Sequence, residues 1–268
     1  MNFVCALLPE ATPLIENLDL KKQRISSPYA LFKNESHQLV ISGMGKQNIA
    51  TAIGFLHGIA PNKNTPWLNL GLAGHGNFQL GTPCQIIKCT DTSSQKSFYP
   101  PPIFSTQLTK ATLHTCDQPS TEYQTGTAYD MEGFAFFETA SRFCPRELVQ
   151  SIKIISDNPE SPLVRFDKSQ VSPLITPSIP LIHSLIKEME VIAEELTPSP
   201  ELEHTLEEIS KLCTLSETQV HQVIKIIRQA HLFQLPLSKI IKLFHNSTNV
   251  KSSLSLANQL LEERKTFP

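Results

Sequence analysis

From Met1 to about Leu196 the chain alternates short apolar runs with stretches of helical spacing, and after Thr197-Pro198-Ser199-Pro200 the short runs stop. This change of pattern constrains the fold more than any single motif. Phe3–Leu8, Gln38–Ser42, Trp67–Leu72, Gln85–Cys89, Leu113–Cys116 and Ser151–Ile155 read as strands. Between and after them, Asn48–Ile59 sets Ile49, Ala52, Ile53 and Leu56 on one stripe. Met131–Phe143 is a helix too apolar to be solvated, and Pro180–Leu196 carries Leu181, Leu185, Met189 and Ile192. Two strand ends carry glycine, in Gly43-Met44-Gly45-Lys46 and Ala73-Gly74-His75-Gly76. Alternation of this kind builds an α/β sheet flanked by helices.

Pro198 and Pro200 cannot both sit inside a helix and read as a short, stiff linker. The expected division is residues 1–196 and a small all-helical module over 201–268. Leu206–Cys213, Glu217–Ala230, Ser238–His245 and Ser253–Lys265 are its helices. Two of its stripes are Val220, Val223, Ile224 and Ile227, then Leu237, Ile240, Ile241 and Phe244. A module this small gains little from burying them unless they meet a partner surface. A bundle docked on the first domain or on a neighbouring subunit, without a catalytic residue, is expected. Its lysines stand among acidic residues, a solvated surface rather than a nucleic-acid patch.

The 268 residues are 40% hydrophobic, enough for a sizeable core, and the net charge of −2 gives no field favouring nucleic acid or membrane. No apolar run reaches the ~18 residues that span a bilayer. Met1–Pro9 lacks a basic leader and reads as a first strand rather than a signal peptide. The six cysteines are scattered, with no CxxC and no tight His/Cys cluster, so a cytoplasmic protein without metal or cofactor is the simplest account.

Three carboxylates sit where α/β folds place ligands. Asp157 follows the buried strand Ile152-Lys153-Ile154-Ile155 and precedes Pro159. Glu132 starts the apolar helix, where the helix dipole favours its ionised form, and Glu10 follows the first strand after Pro9. An N-cap aspartate and a solvated glutamate account for the spacing equally well. The ends that carry Glu10, Met44, Ala73-Gly74, Glu132 and Asp157 converge on one rim of a parallel-rich sheet. Carboxylates without metal-ligand partners suit proton traffic and a developing cation, not phosphate. Gly43-Met44-Gly45-Lys46 lacks the phosphate-loop spacing and reads as a turn needing positive φ, with Lys46 over the helix start or on a carboxylate.

In order, Ala6-Leu7-Leu8-Pro9-Glu10, Ser42-Gly43-Met44-Gly45-Lys46, Asn69-Leu70-Gly71-Leu72-Ala73-Gly74, Tyr129-Asp130-Met131-Glu132-Gly133 and Ile155-Ser156-Asp157 resemble the motifs of the nucleoside phosphorylase superfamily. The nearest branch is that of the methylthioadenosine/S-adenosylhomocysteine nucleosidases, and the resemblance spans Met1 to about Leu196. It implies a three-layer α/β/α sandwich with a central mixed sheet and hydrolysis of a purine nucleoside's N-glycosidic bond. It also implies Glu10 as general base toward water, Asp157 as acid toward the leaving base, and Glu132 with Met131 at the ribose. Met44 would lie near the 5′ substituent, with Ala73 and Gly74 lining the pocket. The partner would be a small nucleoside, and the assembly a homo-oligomer, a dimer first. A GDPxR-like phosphate segment is missing, which favours water over phosphate as nucleophile. The sequence departs from the family at Leu72, where a small hydroxyl residue is usual, at His75 for glycine, and in Asn158-Pro159-Glu160 after the acid. The stretch from Cys116 to Met131 is short for the family's base-recognition loop; Phe98 or Tyr99 would stack on a base, or simply pack. A phosphorylase, or a weakened nucleoside-binding module with a partner-binding tail, are the alternative readings.

Overall fold

The structure, a computed structural model, describes residues 1–61, 64–120, 122–162, 167–197, 199–247 and 249–266. The linker reading at Pro198 lies outside these residues. The chain divides into two compact units, Met1–Leu196 and Thr197–Pro268.

In the first unit β1 (Asn2–Cys5) runs into α1 (Leu8–Asn17), followed by β2 (Lys21–Lys22), β3 (Ala30–Lys33), β4 (Gln38–Ile41) and α2 (Lys46–Ile59). Then come β5 (Trp67–His75), β6 (Pro83–Asp91), β7 (Ser97–Phe98), β8 (Thr109–Thr115) and β9 (Thr127–Asp130). The unit ends with α3 (Gly133–Ala140), β10 (Val149–Asp157), α4 (Lys168–Ile175) and α5 (Ile179–Leu196). Strands β4, β1, β5 and β10 lie parallel in that order. From β10 the sheet continues through β6, β8 and β9 and returns to β5, so these five strands close on themselves. β4, β3 and β2 extend the other side as an open wing.

Both faces are covered, as strands buried on two sides require. Val4, Val40, Trp67 and Ile155 point into the core shared with α2 and α3, around Ile53, Phe136 and Phe137. Their neighbours Phe3, Leu39, Leu68 and Ile154 point into the opposite core, with Leu14 of α1 and Ile182, Leu185 and Met189 of α5. The fold is thus a three-layer α/β/α sandwich around a mixed sheet.

Several boundaries differ from the sequence-based expectation. The first strand stops at Cys5 and α1 starts at Leu8, so Glu10 stands in a helical first turn rather than in a strand-end loop. Pro9 and Pro13 hide this helix from a periodicity argument, as Pro173 hides α4. β5 runs on through Ala73-Gly74-His75 because β10 and β9 pair with that end. Pairing overrides the poor strand propensity of its glycine.

The second unit consists of α6 (Pro200–Leu212), α7 (Glu217–Leu232), α8 (Leu237–Asn246) and α9 (Val250–Thr266). Pro200 takes the first helical position, where its missing N–H costs nothing, and Ser199 caps the helix by accepting from Leu202 N. Val223, Ile226, Ile227 and Ala230 of α7 bury against Ile240 and Phe244 of α8 and Leu254, Ala257 and Leu261 of α9. The apolar stripes therefore meet one another inside this unit. Val220 and Ile224 are only half-buried; Ile226 and Ala230 hold the centre instead.

Candidate active site

The parallel arrangement of β4, β1, β5 and β10 brings the residues after their carboxyl ends to one rim. A cavity of about 350 Å³ opens there, and Glu10, Met44, Ala73, Gly74, Met131, Glu132 and Asp157 all line it. Glu132 reaches the rim from the opposite direction, because β9 runs antiparallel to β5.

Glu10 is 5% exposed. Its Oε2 accepts from the Leu7 amide at 2.8 Å and its Oε1 from the Leu72 amide at 3.1 Å. The departure at Leu72 thus leaves a backbone donor in place. Burial raises the Glu10 pKa, and the two amides and Lys153 oppose that rise. Glu132 is the residue before α3, and its Oε1 accepts from Gly45 N, at the start of α2, at 2.5 Å. Gly45 has φ +97°, a conformation that only glycine adopts without strain, which turns this amide toward the site. The helix start that meets Glu132 is that of α2, and it does not secure the ionised form. Burial, then the neighbouring Asp130, pushes the Glu132 carboxyl up to about 7.

Two residues that the sequence reading passed over hold this end together. Lys153, 1% exposed on β10, pairs with Asp130 at 2.8 Å. Asp130 also accepts from Thr115 Oγ1 and from Gly133 N, both at 2.7 Å. Burial pulls the Lys153 ammonium down, but Asp130 and Glu132 outweigh it and leave its pKa above the ordinary value. Gly71 makes room: a side chain there would begin 3.3 Å from both Glu10 Oε1 and Lys153 Nζ. A lysine inside Ile152-Lys153-Ile154-Ile155 was the available signal, since an ammonium in a strand buried on both faces needs an anion.

At the other end stands Asp157, the last residue of β10, 5% exposed. Ser156 Oγ donates to its Oδ1 at 2.5 Å, and the Tyr123 hydroxyl donates to its Oδ2. Burial, then this carboxylate, raises the Tyr123 pKa. A side chain on Gly74 would begin 2.5 Å from both Asp157 Oδ2 and the Tyr123 ring, so glycine here serves close approach rather than positive φ. The segment after Asp157 is anchored by Asn158: its Nδ2 donates to Phe78 O at 2.8 Å, and its Oδ1 accepts from the amides of Glu160 and Ser161.

Other candidates stand apart from the cavity. Phe98 packs on Phe137 with ring centroids 5.0 Å apart, and Tyr99 is exposed; neither lines the cavity, and the aromatic residues that do are Tyr123 and Tyr129. His75 is buried and stacked on Phe78, its Nδ1 accepting from the amides of Asn77 and Phe78, so it shapes the turn after β5. Lys46 pairs with Asp91 and Asp117.

No protein-family model and no curated protein sequence matches the chain. Solved structures do. The 5′-methylthioadenosine/S-adenosylhomocysteine nucleosidase (MTAN) of Helicobacter pylori, solved with butyl-thio-DADMe-Immucillin-A, aligns with a TM-score of 0.57 at 14% identity, over 70% of this chain and 97% of that one. The Campylobacter jejuni enzyme gives 0.55 at 16%, over 70% and 98%. The MTAN of Chlamydia trachomatis gives 0.53 at 20%, over 68% and 96%. Over that share of its length the chain has the fold of these nucleosidases, which belong to the nucleoside phosphorylase superfamily. In the described residues no helix is long and apolar enough to cross a membrane.

Proposed function

We propose that the chain hydrolyses the N-glycosidic bond of a purine nucleoside, with water as the nucleophile. One observation carries this reading: four buried carboxylates share one cavity of nucleoside-compatible size, three of them around a buried cation and the fourth, Asp157, held by hydroxyl donors. The fold shared with the nucleosidases supports it.

In this reading the base lies toward Gly74 and Asp157, and the ribose toward Glu132, Met131 and Glu10, with the 5′ substituent near Met44. As the bond from the anomeric carbon to the base nitrogen breaks, its electron pair goes to the base and Asp157 delivers a proton to the purine's N7. Positive charge grows on the sugar, where Glu132 stabilises it, fully so once the pH is above about 7 and the carboxyl is ionised. Water adds to the anomeric carbon and Glu10 takes its proton. Glu10 then releases its proton to solvent and solvent returns one to Asp157, and the products are free base and free sugar. The separation of an acid from a base across a cationic sugar follows the logic of glycosidases acting on O-glycosides.

The test is base release from methylthioadenosine, adenosine and inosine in phosphate-free buffer, followed by chromatography. Release from at least one is expected; failure of all three removes the reading. The contact of Tyr123 with Asp157 favours a second reading, a nucleoside-binding module without turnover. Calorimetric binding of a nucleoside that is never cleaved would establish that one.

A further inference from the structure

Both carboxyl oxygens of Asp157 already accept a hydrogen bond from a side chain of this chain. Ser156 takes Oδ1 and Tyr123 takes Oδ2, and the Tyr123 ring lies against Gly74, where the preceding reading places the base. Tyr123 belongs to the segment between β8 and β9, from which Pro119 and Ser120 also line the cavity. The segment is tied down on both sides of these residues. Asp117 pairs with Lys46 at 2.7 Å before them. After them the Gln124 amide donates to the Tyr129 hydroxyl at 3.2 Å, and Gly126 N donates to Asn77 Oδ1 at 3.0 Å. Between these ties, the Tyr123 side chain meets the cavity through its hydroxyl bond to Asp157, its ring against Gly74 and a tilted contact with the Tyr129 ring, centroids 5.8 Å apart.

We propose that Tyr123 is a built-in occupant of the leaving-base subsite, a gate that holds Asp157 until a purine displaces its ring. The inference rests on the nucleosidase reading for what displaces it. In the exchange Asp157 loses the phenol O–H and takes up a proton from solvent, which it then donates to the N7 of the purine that replaces the ring, while the released phenol hydroxyl passes to water or to the base edge. While Tyr123 donates to it, Asp157 is an acceptor and has no proton placed for a leaving base. A nucleoside therefore binds only to the fraction of molecules in which the ring has swung out, and its apparent affinity is reduced by that fraction.

The experiment compares full-length wild type, Tyr123→Phe and Tyr123→Ala, with adenine and hypoxanthine as calorimetric probes and base release as the kinetic readout. Tyr123→Phe keeps the ring and removes only the hydroxyl. It is expected to bind one of the two bases about tenfold more tightly, the worth of one hydrogen bond to a charged group. KM should fall by a similar factor while kcat stays within about threefold of wild type. Tyr123→Ala should bind the base at least as tightly as wild type. Unchanged or weaker binding in Tyr123→Phe overturns the gate, because Tyr123 would then belong to the base's own binding surface. Tighter base binding by both variants with no release of base supports the gate and sinks hydrolysis. Base release with KM unaltered in Tyr123→Phe sinks the gate and leaves hydrolysis standing. Binding of neither base by any of the three proteins sinks both.

Discussion

The two ends of the cavity are built on opposite principles. Around Lys153, the carboxylates of Glu10, Asp130 and Glu132 are buried among backbone amides, and Asp130 is fastened to the ammonium and to Thr115. Around Asp157 no ion pair stands among the described residues: two hydroxyls, Ser156 and Tyr123, supply the contacts, and one of them comes from a segment between strands. Charges locked in a low-dielectric site keep their arrangement and cost no reorganisation when a cation forms beside them. A hydroxyl that donates to a carboxylate brings no charge of its own, and its bond can be exchanged for that of another donor. One end suits holding charge, the other suits passing a proton.

The largest effect should come from the exchangeable end. Asp157→Asn is expected to lower base release by ~10²–10⁴-fold, the worth of a positioned general acid, while the thermal unfolding midpoint moves little. Near-normal turnover would take Asp157 out of the chemistry and erase the contrast between the ends. At the locked end the damage should fall on stability. Lys153→Met removes the cation from three buried carboxylates and is expected to cost ~3–5 kcal/mol in denaturant titration, as breaking a buried pair does. A cost under about 1 kcal/mol would mean that this cluster is solvated after all.

A smaller effect tests the sign of the electrostatics. Glu132 is raised from an ordinary carboxyl value of 4.5 to about 7 by burial and Asp130. Between those values the folded protein holds a proton that the unfolded chain has already released. Stability should therefore fall as pH rises from 4.5 to about 7 and flatten above it, by on the order of 2–3 kcal/mol from this group. Glu132→Gln should remove most of that slope. The same slope in the variant would mean that Glu132 is not the group that holds the proton.

The same contrast decides what was legible in the sequence. Asp157, Met44, Ala73 and Gly74 could be found because each lies at or just past the carboxyl end of a strand, and parallel strands carry those ends to one rim. Glu132 was legible from the apolar helix it precedes, although its hydrogen-bond partner lies at α2. Glu10 was found by motif order although its helix, with two prolines, was not. Lys153 was visible as a cation in a buried strand but had no assigned partner, because Asp130 comes from β9, a four-residue strand too short to leave a pattern. Tyr123 left no trace. Nothing in the composition of an irregular segment tells which of its side chains turns inward, and only the pairing of β9 with β5 and β8 sets it over Asp157.

Division of labour between a locked end with Glu10 and an exchangeable end with Asp157 amounts to one chemical claim: water, not phosphate, receives the sugar. The direct measurement is the mass of the sugar product when a cleaved nucleoside is turned over with millimolar phosphate present. Free sugar in amounts equal to the released base, at a rate that phosphate does not change, is the expected result. A sugar 1-phosphate, with release that stops when phosphate is withdrawn, would contradict it.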